Sequence, residues 1–414
     1  MYLLVNILGI FVYMGIAFLF SQNKKNINWR SIIVVLVINL VFAWILTSFS
    51  WGRDAVKAAA DGFNWLVQVS YTGIAFALPS WVNVKQMDFV TSALLPILMI
   101  VPLFDILTYI GVLPWIIKWV GRGLSFITGQ PKFESFFAVE MMFLGNTEAI
   151  AVSTLQLKQM SARRNLTIAL MSMSCVTASI IGAYTQMVPG QYVLTAIPLN
   201  VMNAIIITNM LNPVKVTPEE DTIANMSSSN AAAEAAGDVT PDGHKEPFFS
   251  FLGDSILGAG RLILIITANV IAFVALAALI DKVLQLFNPW LTLEHILGII
   301  MFPFAWLMGL DVSHAFDFAQ LMGTKLVTNE FVVMGKIAGT INNTKIFAPH
   351  YQAQLTVFLT SFANFSTTGM IIGAFKGIVD REKNNLISKN VGTMLLSGIL
   401  VSLMSAGIVG LFVW

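Results

Sequence analysis

Apolar runs of about twenty residues recur from one end of this chain to the other, and that is the length a helix needs to cross a hydrocarbon core roughly 30 Å thick. They lie near 1 to 20, 31 to 49, 89 to 112, 166 to 187, 193 to 211, 261 to 280, 353 to 375 and 387 to 412. The expected fold class is therefore an all-α polytopic membrane protein with eight transmembrane helices. Composition excludes the soluble alternative: 57% of the 414 residues are hydrophobic and 11% are charged, against about 25% charged in a typical soluble domain.

Two further apolar stretches, 133 to 157 and 294 to 335, are interrupted by charged and amide residues and are expected to re-enter the membrane as hairpins rather than cross it. The basic residues support this layout. With both stretches re-entrant, five groups fall on one side: Lys24, Lys25 and Arg30; Lys118, Arg122 and Lys132; Lys158, Arg163 and Arg164; Lys215 and Lys245; Lys376, Arg381 and Lys383. The positive-inside rule makes that side the cytoplasm. A multi-pass protein of the cytoplasmic (inner) membrane with both termini outside is expected. The first run has no basic region before it and no cleavage site after it, so it is read as a retained helix rather than a signal peptide. The single cysteine, Cys175, excludes a disulfide framework and a CxxC metal site. A net charge of +1 gives no reason to expect nucleic-acid binding.

Residues 51 to 66 mix charge with Trp51, Phe63 and Trp65, as an interfacial helix or an exposed loop helix would. Residues 213 to 247 are rich in Pro, Glu, Ser and Ala and cannot supply a core. The chain then divides into N-terminal scaffold helices with the interfacial helix (1–88), a first repeat with hairpin 1 (89–212), a cytoplasmic linker (213–250) and a second repeat with hairpin 2 (251–414). The halves echo each other: IIGAY (180–184) and IIGAF (371–375) each follow a Ser/Thr-rich apolar stretch and an interrupted segment holding an Asn and a Glu. This order favours an inverted repeat, an architecture that binds substrate near the midplane at broken helices.

Polar residues at membrane depth are costly and therefore candidates for function. Three clusters stand out: Gly145-Asn146-Thr147-Glu148, Thr328-Asn329-Glu330, and Asn364 with Ser366, Thr367 and Thr368. The competing structural readings are helix capping for the first and back-bonding of Ser and Thr to their own helix for the third. Carboxylates accept from OH and NH groups and amides both donate and accept, which suits a polyhydroxylated or amide-bearing ligand. No arginine lies within the three clusters. A phosphate or carboxylate substrate would call for one, so a neutral polar solute fits better.

At these residues the chain resembles the concentrative nucleoside transporter family. GNTEA, TKLVTNEFV and SFANFSTTGMIIGA are similar to the family's (G)Q(S/T)E, (T)KxVxNEF and FANxSS signatures, in the same order, and FSQNKKNI is similar to its short basic first loop. The resemblance implies a homotrimer in which each protomer moves a transport domain against a scaffold. It also implies nucleobase contacts from Gly145, Asn146, Thr147 and Glu148, with Asn146 where the family usually has Gln. Glu330, Asn364 and Thr367 would hold the ribose hydroxyls and Phe362 would line the pocket. The positions that resemble the family's sodium site hold Met141, Leu144, Cys175 and Val176. These are poor ligands for a hard cation, so no metal and no cofactor is expected. The expected coupling ion is a proton carried by Glu148 or Glu330, with His314 as a further candidate. A sodium site built from backbone carbonyls is the alternative. The chain departs from the family at Tyr71-Thr72-Gly73 and at Gly309 to Ala315, which bears on substrate range more than on fold.

The implied activity is nucleoside:cation symport by elevator-type alternating access, with a nucleoside, the bilayer and further copies of the chain as partners. A facilitator or channel for another neutral solute, and a non-transporting sensor, are the competing classes. No HExxH, GxSxG or paired aspartates at membrane depth support an intramembrane enzyme.

Overall fold

The computed structural model describes residues 2–221 and 246–414, so the centre of the expected linker, 222–245, lies outside the described residues. Among the described residues every regular element is helical, and six helices are long and apolar enough to cross a membrane. Four of the six are α1 (Tyr2–Leu19), α2 (Trp29–Ser48), Val90–Tyr109 and Phe248–Gln285. The others, Gly190–Leu211 and Val391–Gly410, are 78% and 67% buried, whereas Phe248–Gln285 is 11% buried. Gly190–Leu211 and Val391–Gly410 form the middle of the bundle, and Phe248–Gln285 turns its Leu and Ile side chains outward, as lipid-facing surface does. Polar side chains tie the middle together: Asn39 donates to Asn203 at 2.8 Å, and Asn203 donates to Ser405 at 2.9 Å. Such interhelical amide bonds hold helices together where no hydrophobic force does.

After α2 comes α3 (Ser50–Ala77), which runs 28 residues rather than the 16-residue stretch expected at 51 to 66. Nothing in its sequence stops a helix before Leu78-Pro79, where the residue preceding proline is driven to extended geometry. The first half continues with α4 (Ile97–Tyr109), α5 (Val112–Thr128), α6 (Lys132–Leu144), α7 (Asn146–Val152), α8 (Ala162–Ser172), α9 (Ala178–Thr185) and α10 (Gly190–Leu211). The second half follows the same plan with α11 (Phe248–Gln285), α12 (Leu293–Trp306), α13 (Val312–Val327), α14 (Glu330–Ile337), α15 (Pro349–Leu359), α16 (Phe365–Ile378) and α17 (Val391–Gly410).

Two expected continuous spans are broken. The stretch at 166 to 187 divides into α8 and α9, and that at 353 to 375 into α15 and α16. Hydropathy sees only the apolar average; the break at the second comes from Asn364, whose side chain accepts from the Thr367 N–H and so starts a new helix. The two breaks meet, because the Phe362 N–H donates to the Cys175 carbonyl at 3.2 Å.

The stretch at 294 to 335 also differs from expectation, being three helices rather than a two-armed hairpin. Helices α12 and α13 pack closely because Gly323 leaves no room for more: a Cβ there would lie 2.3 Å from the Leu297 Cβ. The polar break then falls between α13 and α14, at Thr328-Asn329.

Candidate functional site

Each of the three polar clusters sits at a helix start. Gly145, between α6 and α7, has φ +86 and ψ 176, a conformation essentially confined to glycine. It reverses the chain so that Asn146, Thr147 and Glu148 open α7. Asn329 starts α14 by accepting from the Val332 N–H at 3.0 Å, and Asn364 starts α16 by accepting from the Thr367 N–H at 2.8 Å. All three starts open on one cavity of about 1350 Å³, lined by Gly145, Asn146, Thr147, Glu148, Asn329, Glu330, Phe331, Phe362, Asn364, Ser366 and Thr367. Helix N-termini present unpaired N–H groups and positive dipole ends to such a space.

Glu330 is 3% exposed and anchors the second half of the site. Its Oε1 accepts from the Tyr184 hydroxyl at 3.1 Å and its Oε2 from the Asn364 amide at 3.2 Å. Asn364 thus caps its helix through oxygen and holds the carboxylate through nitrogen. Lys325, though on the preceding helix and fully buried, does not pair with it. The ammonium donates to the Phe358 carbonyl at 2.6 Å and to Ser361 at 2.7 Å, and lies 4.6 Å from the Phe358 ring centroid. It therefore closes the C-terminal end of α15, where a cation is favoured by the dipole.

In the first half, Thr147 donates to Glu148 at 2.9 Å, and Glu148 is open to the cavity. Asn146 is 5% exposed and its amide nitrogen has no partner among the described residues. Capping accounts for Asn329 and Asn364 but not for Asn146, since α7 begins at Gly145 with no side-chain cap. Back-bonding accounts for Thr368, which donates to the Asn364 carbonyl at 3.2 Å.

Of the residues at positions resembling the sodium site, three lie close together. The Cys175 thiol donates to the Met141 carbonyl at 3.0 Å. Met141, Cys175 and Val176 border a separate void of about 10 Å³, at the lower limit for a single water, and Leu144 faces the main cavity. His314 stands apart: it is outside the cavity lining, half-exposed at the start of α13, with Nδ1 2.5 Å from Asp311. Asp311 caps that helix by accepting from the Ser313 and His314 N–H groups.

Sequence reasoning missed four residues at or beside the site. Thr177 and Ser179 line the cavity from the start of α9. Tyr184 was visible only as part of a repeated pentapeptide, with nothing local to mark its hydroxyl as a partner of Glu330. Glu140, 1% exposed and also on the cavity wall, did carry a signal, being a carboxylate inside FFAVEMM.

Helices broken at mid-bundle, with amides and carboxylates at the breaks facing a shared cavity, define a membrane transporter of the broken-helix class. Residues 8–81 match the N-terminal family and residues 192–410 the C-terminal family of the Na+ dependent nucleoside transporters. The chain belongs to this family of concentrative nucleoside transporters. It is 48% identical, over the full length of both chains, to the purine nucleoside transport protein NupG of Bacillus subtilis (strain 168). It is also 27% identical to the nucleoside permease NupC of Helicobacter pylori, covering 99% of this chain and 98% of the permease. Among solved structures, CNTnw in an inward-facing substrate-bound state superposes with a TM-score of 0.89 at 24% identity, covering 100% of this chain and 98% of that one. That likeness establishes the fold.

Proposed function

We propose that the chain is a proton-coupled importer of nucleosides, purine nucleosides first among them, in the cytoplasmic membrane. The carrying observation is Glu330, held by Tyr184 and Asn364 at the cavity wall with its remaining acceptor capacity free for hydroxyls. A vicinal diol fits such a carboxylate, and Asn364 and Thr367 beside it complete a ribose subsite. Across the cavity Gly145, Asn146, Thr147 and Glu148 form the nucleobase subsite. The unpartnered Asn146 nitrogen offers a donor to a ring nitrogen or carbonyl, and Phe331 and Phe362 offer apolar faces. The full-length similarity to a protein named for purine nucleosides supports the purine preference.

Proton coupling is supported by Met141 and Cys175, poor ligands for a hard cation, standing at positions that resemble the family's sodium site. In this reading the six continuous helices and the two broken ones, α8–α9 and α15–α16, make eight crossings. The segments 132–152 and 312–337 are the re-entrant hairpins. Both termini lie outside, three copies assemble, and the hairpins travel with the substrate against a fixed scaffold. Proteoliposomes supply the test: nucleoside accumulation is expected under an imposed proton gradient and not when sodium alone is imposed, with guanosine, inosine and adenosine competing better than uridine. Absence of uptake for all of them under either gradient overturns the proposal.

A further inference from the structure

Glu140 is a buried carboxyl that the nucleoside site does not use. It lies near the end of α6, on the cavity wall, and the Ser153 hydroxyl donates to its Oε2 at 3.0 Å from just beyond α7. Among the described residues no Lys, Arg or His nitrogen lies within 4.0 Å of it. The buried acidic and basic side chains nearby are partnered. Glu134, earlier on the same helix, is closed by Arg164 through 2.8 Å bonds to both oxygens. Lys325 ends on Phe358 and Ser361, and Glu330 on Tyr184 and Asn364.

The helices packed against α6 are α5, α7, α8, α9 and α10. They bring Lys118 and Arg122, Glu148, Arg163 and Arg164, Tyr184, and Tyr192 respectively, while α6 itself adds Lys132 and Glu134. Arg164 and Tyr184 are engaged as above, Arg163 is exposed, and Glu148 has the same sign as Glu140. Lys118, Arg122 and Lys132 line the same cavity. Glu140 therefore shares a cavity with these cations and, among the described residues, has no fixed counter-charge.

A carboxylate with one donor and no cation is tolerated while cavity water reaches it and becomes costly when that water is excluded, whereas the neutral acid is not. We infer that Glu140 is the site that takes up and releases the coupling proton, leaving Glu148 and Glu330 free to act as acceptors for the nucleoside. The inference rests on the proton-coupled reading above. Protonation of Glu140 lets hairpin 1 close and cross with substrate; deprotonation follows when the cavity opens on the side of Lys118, Arg122 and Lys132.

Proton and nucleoside must then tighten each other's binding by the same factor, of the order of tenfold. In wild type, nucleoside affinity is expected to rise by about that factor as pH falls, and accumulation to follow the proton gradient. E140Q is expected to flatten the pH dependence and to lose gradient-driven accumulation, while counterflow of labelled nucleoside persists. E140D, which keeps a titrating group, is expected to retain both pH dependence and accumulation. An E140Q protein with wild-type proton-driven accumulation, an E140Q protein that loses counterflow as well, or an E140D protein with a flat pH profile each overturns the inference. Should E140Q not fold, E140D decides alone. Failure of the underlying reading looks different: wild type itself then accumulates nucleoside on sodium instead of protons, or not at all.

Discussion

The hydroxyl of Tyr184 donates to the carboxylate of Glu330 at 3.1 Å, joining α9 of the first half to α14 of the second. Its repeat counterpart, Phe375, has no hydroxyl and packs in the core. The two halves are thus alike in backbone plan and unlike in the one atom that reaches across, and that atom fixes the carboxylate on which the proposed ribose subsite depends.

Tyr184→Phe is predicted to weaken nucleoside binding by about 0.5–1.5 kcal/mol, the net worth of an ordinary hydrogen bond. Isothermal titration would show the loss, with little change in melting temperature because the ring and its packing remain. Affinity equal to wild type would remove Tyr184 from the site.

Glu330→Gln is predicted to cost about 1–3 kcal/mol of nucleoside affinity, as expected when a charged acceptor of hydroxyl donors becomes neutral. The sharper measurement pairs the variant with substrate analogues. Deleting a ribose hydroxyl should weaken binding to wild type and weaken it much less to the variant, because the two changes remove one interaction. Additive losses would place the ribose elsewhere.

At Gly145, alanine would meet both strain and crowding: φ is +86, and a Cβ would lie 3.0 Å from Glu148 Oε2 and 3.2 Å from Thr177 Cβ. Gly145→Ala is predicted to destabilise this turn by about 1–3 kcal/mol and to displace Glu148. Melting temperature and nucleoside affinity should fall together. A variant with wild-type stability would show that the turn has an alternative conformation open to it.

Lys325→Met keeps the stem and removes the ammonium, leaving the Phe358 carbonyl and Ser361 without their donor. A loss of about 1–3 kcal/mol of stability is predicted, the penalty for a buried acceptor left unmade. Thermal unfolding in detergent measures it. Because Lys325 acts on Glu330 only through charge and not by a direct contact, nucleoside affinity in the folded variant is expected to fall less than in Glu330→Gln. Selective loss of affinity without loss of stability would instead tie Lys325 to the substrate.

Much of the fold was legible because hydrocarbon imposes a length and a polarity on any segment that crosses it. The first, second and fifth runs correspond closely to α1, α2 and α10. The sixth was too short because Phe248–Gln285, at 38 residues, spans about 57 Å, well beyond the apolar window that hydropathy detects. The breaks within α8–α9 and α15–α16 were illegible as breaks, since five residues among twenty barely alter a window average. The site clusters were legible for the opposite reason: Glu148, Glu330 and Asn364 stand out against their surroundings. His314 stood out equally and lies elsewhere, half-exposed beside Asp311.

The sequence by itself determined that this chain is a helical membrane protein, where its apolar segments lie and which polar residues interrupt them. These are local properties, set by transfer of each segment into lipid. Tertiary structure alone decided that three helix starts converge on one cavity, that Tyr184 rather than Lys325 hydrogen-bonds Glu330, and that Glu140 is buried with no counter-charge among the described residues. Each of those depends on contacts between residues far apart in the chain, and a single sequence encodes such distances only through the packing of the whole bundle.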